Sequence, residues 1–115
     1  MKTILSCGLF LAALSGCTLM PGQGADAYAE LSDGDITLAA NAMQNGLEQA
    51  HEGEMRSWQN PATGNAGAIT VGRTFVDSAG SFCRDYRETI ELSDGRVSTM
   101  DNTACRGNEG HWRWI

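Results

Sequence analysis

Four cysteines, two histidines and several paired carboxylates are the groups in this 115-residue sequence whose chemistry reaches beyond packing. His51-Glu52-Gly53-Glu54 begins like the zinc-binding motif HExxH, but Met55 stands where the second histidine is needed, so a metalloprotease site is excluded. Cys83 and Cys105 lack CxxC spacing, and with only His51 and His111 to complete a ligand set they make a poor zinc site. Neither a GxSxG elbow nor a glycine-rich phosphate loop is present. Asp33/Asp35 and Asp85/Glu88 are pairs that in principle exchange protons. No third group converges on either, so both are read as solvated faces. The sequence thus predicts no catalytic residue, no metal and no cofactor.

What the cysteines do depends on their compartment, and the N-terminus decides that. Met1-Lys2-Thr3 is a short positive start, followed by the uncharged run from Ile4 to Leu14. A bilayer span needs about 20 apolar residues, so this shorter run fits the core of an export signal. Leu14-Ser15-Gly16-Cys17 resembles the bacterial lipobox, in which small residues precede a cysteine that is acylated and becomes the first mature residue. Residues 1–16 are therefore predicted to be a lipoprotein signal peptide, with Cys17 the site of lipid attachment. Lipoproteins of this kind carry three acyl chains by resemblance, and two already anchor a protein stably. Thr18 follows the cysteine in place of an inner-membrane-retaining aspartate, which favours the outer membrane and leaves its periplasmic and surface faces both open.

Removing residues 1–16 takes away Lys2, the one lysine, and moves the net charge from −6 to −7. Without lysine the mature chain cannot form a Schiff base, a Walker-type phosphate loop or a lysine link to the cell wall. An isoelectric point near 4.7 is also the wrong sign for docking nucleic acid or anionic lipid by charge.

These groups must be held by a small fold. Residues 17–31 mix Pro21, Gly22, Gly24 and small side chains without apolar period, as expected of a lipid-anchored flexible tether. The domain is assigned to residues 32–115. Ser32 and Asp35 form a capping-box pattern, and Ile36, Ala39, Ala40, Met43, Leu47 and Ala50 follow helical spacing, predicting a helix over 33–50. His51 to Met55 breaks the helical pattern with Gly53, and Trp58 to Gly67 is dense in turn formers, so strand signals begin only after Gly67 and the stretch before is read as irregular. Alternation then predicts four strands: over 68–76, through Phe82, Tyr86, Ile90 and Leu92, to about Arg106, and over 111–115.

If Ser93-Asp94-Gly95 is a three-residue hairpin loop, Cys83 falls opposite Cys105, Arg87 opposite Asp101 and Thr89 opposite Thr99. With Cys7 lost in the signal and Cys17 lipidated, Cys83 and Cys105 are predicted to form a disulfide in an oxidising compartment. Its chain-entropy contribution is about 3 kcal/mol. Val97 and Met100 have opposite parity, so the third strand is expected to bulge or change register.

Arginines stand beside aromatics near this disulfide. Arg84, Tyr86, Arg106, Trp112 and Arg113 are the candidate contact surface, and Trp58 and Trp114 are further candidates for a ligand platform. The ordinary alternative places two or more of the tryptophans in the core beneath the helix.

Three blocks carry a family resemblance: Trp58-Gln59-Asn60-Pro61-Ala62-Thr63-Gly64-Asn65-Ala66-Gly67, Cys83-Arg84-Asp85-Tyr86-Arg87-Glu88-Thr89-Ile90, and Ala104-Cys105-Arg106-Gly107-Asn108-Glu109-Gly110-His111-Trp112. With the preceding helix, residues 33–115 resemble the C-terminal domain of the 17 kDa surface antigen family of outer-membrane lipoproteins, without the glycine-zipper segment of full-length members. The resemblance implies location and fold, and brings no catalytic residues. The expectation is an α+β domain, one helix on a four-stranded antiparallel meander stapled by one disulfide. Its role is a non-enzymatic one in the envelope, through contact with an envelope protein or cell-wall partner. The alternative is a periplasmic binding or inhibitor module presenting its Trp/Arg surface to a peptide, glycan or enzyme.

Overall fold

The computed structural model describes residues 27–115. Helix α1 (Asp33–Gln49) starts where its capping box directs. The Ser32 Oγ accepts from the Asp35 N–H at 3.1 Å while the Asp35 carboxylate accepts from the Ser32 N–H at 2.9 Å, so two donors of the first turn are satisfied reciprocally. The buried stripe of α1 is Asp35, Ala39, Ala42, Gly46 and Leu47. It is turned from the predicted one: Ile36 and Ala40 face solvent, because the Asp35 carboxylate points inward and is held there. At Gly46 a Cβ would lie 2.7 Å from Ile69 Cδ1, so only glycine lets the helix approach this closely.

Five antiparallel strands follow in chain order, where four were expected: β1 (Met55–Asn60), β2 (Asn65–Val76), β3 (Phe82–Glu91), β4 (Val97–Arg106) and β5 (Trp112–Trp114). The addition is β1, which pairs with β2 from Met55/Thr70 to Asn60/Asn65. It lies in the stretch read as irregular because Trp58 alone on its inward face is buried and apolar, so the usual alternation is missing. Pro61 to Gly64 turn the chain, and β2 begins at Asn65, earlier than predicted.

Strands β3 and β4 pair in one unbroken register from Cys83/Cys105 to Glu91/Val97, including Arg87/Asp101 and Thr89/Thr99. A disulfide joins Cys83 to Cys105. Gly95, at φ 96°, adopts the left-handed conformation that the hairpin loop requires. The expected bulge in β4 does not occur. Val97 faces solvent at the start of the strand, whereas Met100 turns inward onto Ile90 and Leu92, so opposite parity reflects opposite surroundings. The irregularity lies instead in β2, between Val71 and Thr74.

The two faces of the sheet differ. On one, Ile69, Val71, Tyr86, Ala104 and Trp112 pack with Leu47 and Ala50 of the helix segment. Beside them Ala27, in a single helical turn, packs with Ile90 and Leu92, with Tyr28 and Leu31 against them. Residues 27–31, assigned from sequence to the tether, thus lie on the sheet because Ala27, Tyr28 and Leu31 cover what α1 does not reach. The other face carries the disulfide, the Arg87–Asp101 pair and the Thr89/Thr99 pair. The expected signal peptide and Cys17 fall outside the described residues. Among the described residues no helix is long and apolar enough to cross a membrane.

Candidate functional site

The N-terminal end of α1 holds a buried carboxylate. Asp35 has no exposed surface, and its Oδ1 accepts from Asn60 Nδ2 at 2.8 Å and Thr63 Oγ1 at 2.7 Å. Its Oδ2 accepts from Asn65 Nδ2 at 2.8 Å in addition to Ser32 N–H. Asn65 extends the network, its Oδ1 accepting from the Ser93 N–H at 2.8 Å. Burial raises the Asp35 carboxyl, but the bonds from Asn65, Ser32, Thr63 and Asn60 outweigh it and hold the group well below the usual carboxylate range. The Asn60 to Asn65 block is therefore a turn folded around this carboxylate. The expectation of a solvated face for Asp35 is overturned, because the β1–β2 turn brings three side-chain donors to it.

The C-terminal end of α1 holds a buried cation. Arg84 is 9% exposed, and its Nη1 donates to the carbonyls of Leu47 at 3.0 Å and Ala50 at 2.7 Å. These are the last carbonyls of the helix, where the macrodipole favours a positive charge. The Nε of Arg84 is buried without a partner among the described residues. Beside it, Glu48 Oε1 accepts from Trp112 Nε1 and Arg106 Nε, each at 3.0 Å. Trp112 Nε1, together with Arg106, holds the Glu48 carboxyl below its ordinary value despite partial desolvation. Gln44 pairs with the Trp112 backbone in both directions, at 2.8 and 2.9 Å, and so docks β5 onto α1. A cleft of about 290 Å³ opens here, lined by Leu47, Glu48, Thr74, Phe82, Arg84, Arg106 and Trp112.

The candidate contact residues are thus divided. Arg84, Arg106 and Trp112 come together at this cleft, but Arg84 and Trp112 are buried. Tyr86 is buried farther along the sheet, touching Met43 Sδ and accepting from Trp114 Nε1, and burial pushes its phenol up to about 12. Arg113 lies opposite Cys105 and is exposed, paired with Glu109 at 3.3 Å. The five therefore form no continuous exposed patch: Arg84, Tyr86 and Trp112 are buried on the helix-covered face, and Arg113 lies on the opposite one. Of the tryptophans, Trp58 and Trp112 are core and Trp114 is 56% exposed. Phe82 and Glu48 were missed as cleft residues. Phe82 has inward parity but lies beyond the end of α1 and stays 57% exposed, and no local pattern marks that limit.

Other features lie away from this cleft. A larger hollow, about 580 Å³, lies over Gly72 among Asp85, Arg87, Asp101 and Thr103. Its charges neutralise one another: Asp85 accepts from Thr103 and Arg73, and Arg87 grips Asp101 through two bonds of 2.7 and 3.1 Å. Asp77 lies near Cys83 and Cys105, but both sulfurs are in the disulfide and Asp77 Oδ1 accepts from the Ala79 and Ser81 N–H groups. Glu88, the second carboxylate read as solvated, is buried and accepts from Tyr28 Oη at 2.6 Å, and its burial pushes the carboxyl up.

Comparison with known proteins places these features in a wider group. The sequence profile of the 17 kDa outer membrane surface antigen family matches residues 45–113, from late α1 through β5. A 17 kDa surface antigen of Rickettsia prowazekii (strain Madrid E) is 36% identical over 81 residues, covering 70% of this chain and 50% of that protein. Those of Rickettsia bellii (strain RML369-C) and Rickettsia japonica (strain ATCC VR-1363 / YH) are 32% and 33% identical over 87 residues, covering 76% of this chain and 54% of each relative. The chain spans about half the length of these curated relatives. No solved structure matches. The match runs through the Asn60–Asn65 turn, both disulfide cysteines and the Arg84 cleft, and by it the chain belongs to the 17 kDa outer membrane surface antigen family.

Proposed function

We propose that this chain is a non-catalytic lipoprotein of the outer membrane, anchored by acylated Cys17, whose folded domain acts by contact with another envelope component. The observation that carries the anchor is the lipobox Leu14-Ser15-Gly16-Cys17 directly after an apolar run too short to span a bilayer. The family description supports an envelope location. The disulfide supports an oxidising compartment. A role without turnover is supported by how the domain uses its carboxylates: Asp35, Glu48 and Glu88 each hold two structural elements together.

The cleft at the end of α1 favours a more specific form of this reading, in which the contact is made by a binding module. The anchor is tested by Cys17→Ala, which is expected to accumulate unprocessed precursor and to lose labelling by radioactive palmitate. Normal processing and unchanged membrane association in that variant would overturn the lipoprotein assignment.

A further inference from the structure

Six of the seven arginines in this sequence have a carboxylate within 4 Å: Arg56, Arg73, Arg87, Arg96, Arg106 and Arg113. Arg84, the most buried of them, has none among the described residues. Carbonyl dipoles at the helix end carry only about half a charge, so the two bonds to Leu47 and Ala50 leave part of the Arg84 charge unbalanced. Burying a cation without a full counter-charge is costly. Both bonds use Nη1, and among the described residues the Nε is without a partner. The Nε is enclosed, so the guanidinium meets a carboxylate entering the cleft through Nη2, which makes no bond among the described residues.

The surroundings narrow the choice of anion. Phe82 and Trp112 supply aromatic walls, Leu47 an apolar one, and the volume of about 290 Å³ suits one residue of a ligand. The neighbouring Arg106 is already engaged by Glu48, which leaves Arg84 as the charge to be met. An α-carboxylate carries its own apolar side chain one carbon away, whereas a side-chain carboxylate brings polar backbone amides on both sides. We propose that this cleft binds the free C-terminal carboxylate of a partner polypeptide ending in an apolar residue, with the Arg84 guanidinium as its charge partner and Phe82 and Trp112 against its side chain. The inference rests on the contact role given above and supplies its ligand class.

The full chain in dodecyl maltoside micelles, labelled with ¹⁵N-arginine, gives a resonance for each arginine Nε–H. The Arg84 signal is the one that survives replacement of each other arginine in turn. Titration with N-acetyl-L-phenylalanine is expected to shift that signal saturably, and the corresponding amide to leave it unmoved. Inorganic phosphate and N-acetyl-aspartic acid amide, a side-chain carboxylate, are expected to bind at least about fivefold more weakly. Phe82→Ala and Arg106→Gln alter exposed side chains and keep the fold. The first should weaken acetylphenylalanine about fivefold and the second by less, since Arg106 faces Glu48.

An unmoved Arg84 signal overturns the proposal and leaves Arg84 as a helix cap only. Equal shifts with acid and amide overturn charge recognition, and equal affinity for phosphate or the aspartate probe overturns the α-carboxylate assignment. Cys17→Ala should bind the probe as the natural chain does, so failure of the anchor and failure of the cleft are read separately.

Discussion

The two ends of α1 solve the same problem with opposite charges and different completeness. At the N-terminal end the Asp35 carboxylate is met by four donors, from Ser32, Asn60, Thr63 and Asn65, and both oxygens are used. At the C-terminal end the Arg84 guanidinium meets two carbonyls through one nitrogen, has an unpartnered Nε and lines a cleft. Both ends place a charge of the sign the helix dipole favours. Only the first is closed. A buried polar network with every member satisfied rigidifies a fold, whereas a buried donor left unsatisfied carries a desolvation cost. The block around Asn60 is thereby explained by folding, and the open end at Arg84 is where the proposed carboxylate would bind.

The comparison is broken most readily at the closed end. Asp35→Ala removes the acceptor of four bonds and strands the buried Asn65 amide, and should cost about 3 kcal/mol in chemical denaturation. A loss below about 1 kcal/mol would show that the turn holds itself together without the carboxylate. The acid limb sharpens the point. The folded-state Asp35 carboxyl lies below its unfolded value, so its stabilisation is complete above the ordinary carboxylate range and is lost as pH falls from that range down through the lower folded-state value. Asp35→Ala should flatten that limb, measured as denaturation midpoint against pH.

At the open end the expected loss is smaller. Arg84→Met keeps the apolar stem and removes both carbonyl bonds, but it also relieves an unpaired buried charge, so the net cost should be about 1–2 kcal/mol. A cost matching that of Asp35→Ala would mean that the C-terminal end is as complete as the N-terminal one, and the contrast would collapse.

The smallest effect belongs to Glu88, a buried carboxylate joined to neither helix end. Its carboxyl is raised above the unfolded value, so stability declines as pH rises from the ordinary carboxylate range through the folded-state value. Glu88→Gln retains an acceptor for Tyr28 and should raise stability by about 0.5–1 kcal/mol at neutral pH while removing that decline. Unchanged pH dependence in the variant would show that Glu88 is not the group responsible.

Local signals in the sequence were sufficient wherever one element contained the whole cause. The Ser32/Asp35 capping box started the helix because its bonds close within one turn. The Ser93-Asp94-Gly95 loop set the β3/β4 register, and with it the Cys83/Cys105, Arg87/Asp101 and Thr89/Thr99 pairs, because a tight turn determines every pair along a ladder. Strand β1 was hidden because one buried tryptophan does not make an alternating pattern. Burial of Asp35 and Glu88 was hidden as well, since their partners Asn65 and Tyr28 lie 30 and 60 residues away in the chain.

The candidate contact residues show the same division. Arginine beside aromatics near the disulfide was legible, but their faces were not. Residue order alone determined that Arg84 and Tyr86 share one side of β3. Only the tertiary structure decided that this side lies beneath α1, that Arg84 meets the last carbonyls of the helix, and that Phe82, two residues earlier, escapes cover because the helix has ended. Hydrogen bonds within a turn or ladder are dictated by neighbours in sequence, whereas burial and the meeting of charges depend on where distant elements stop.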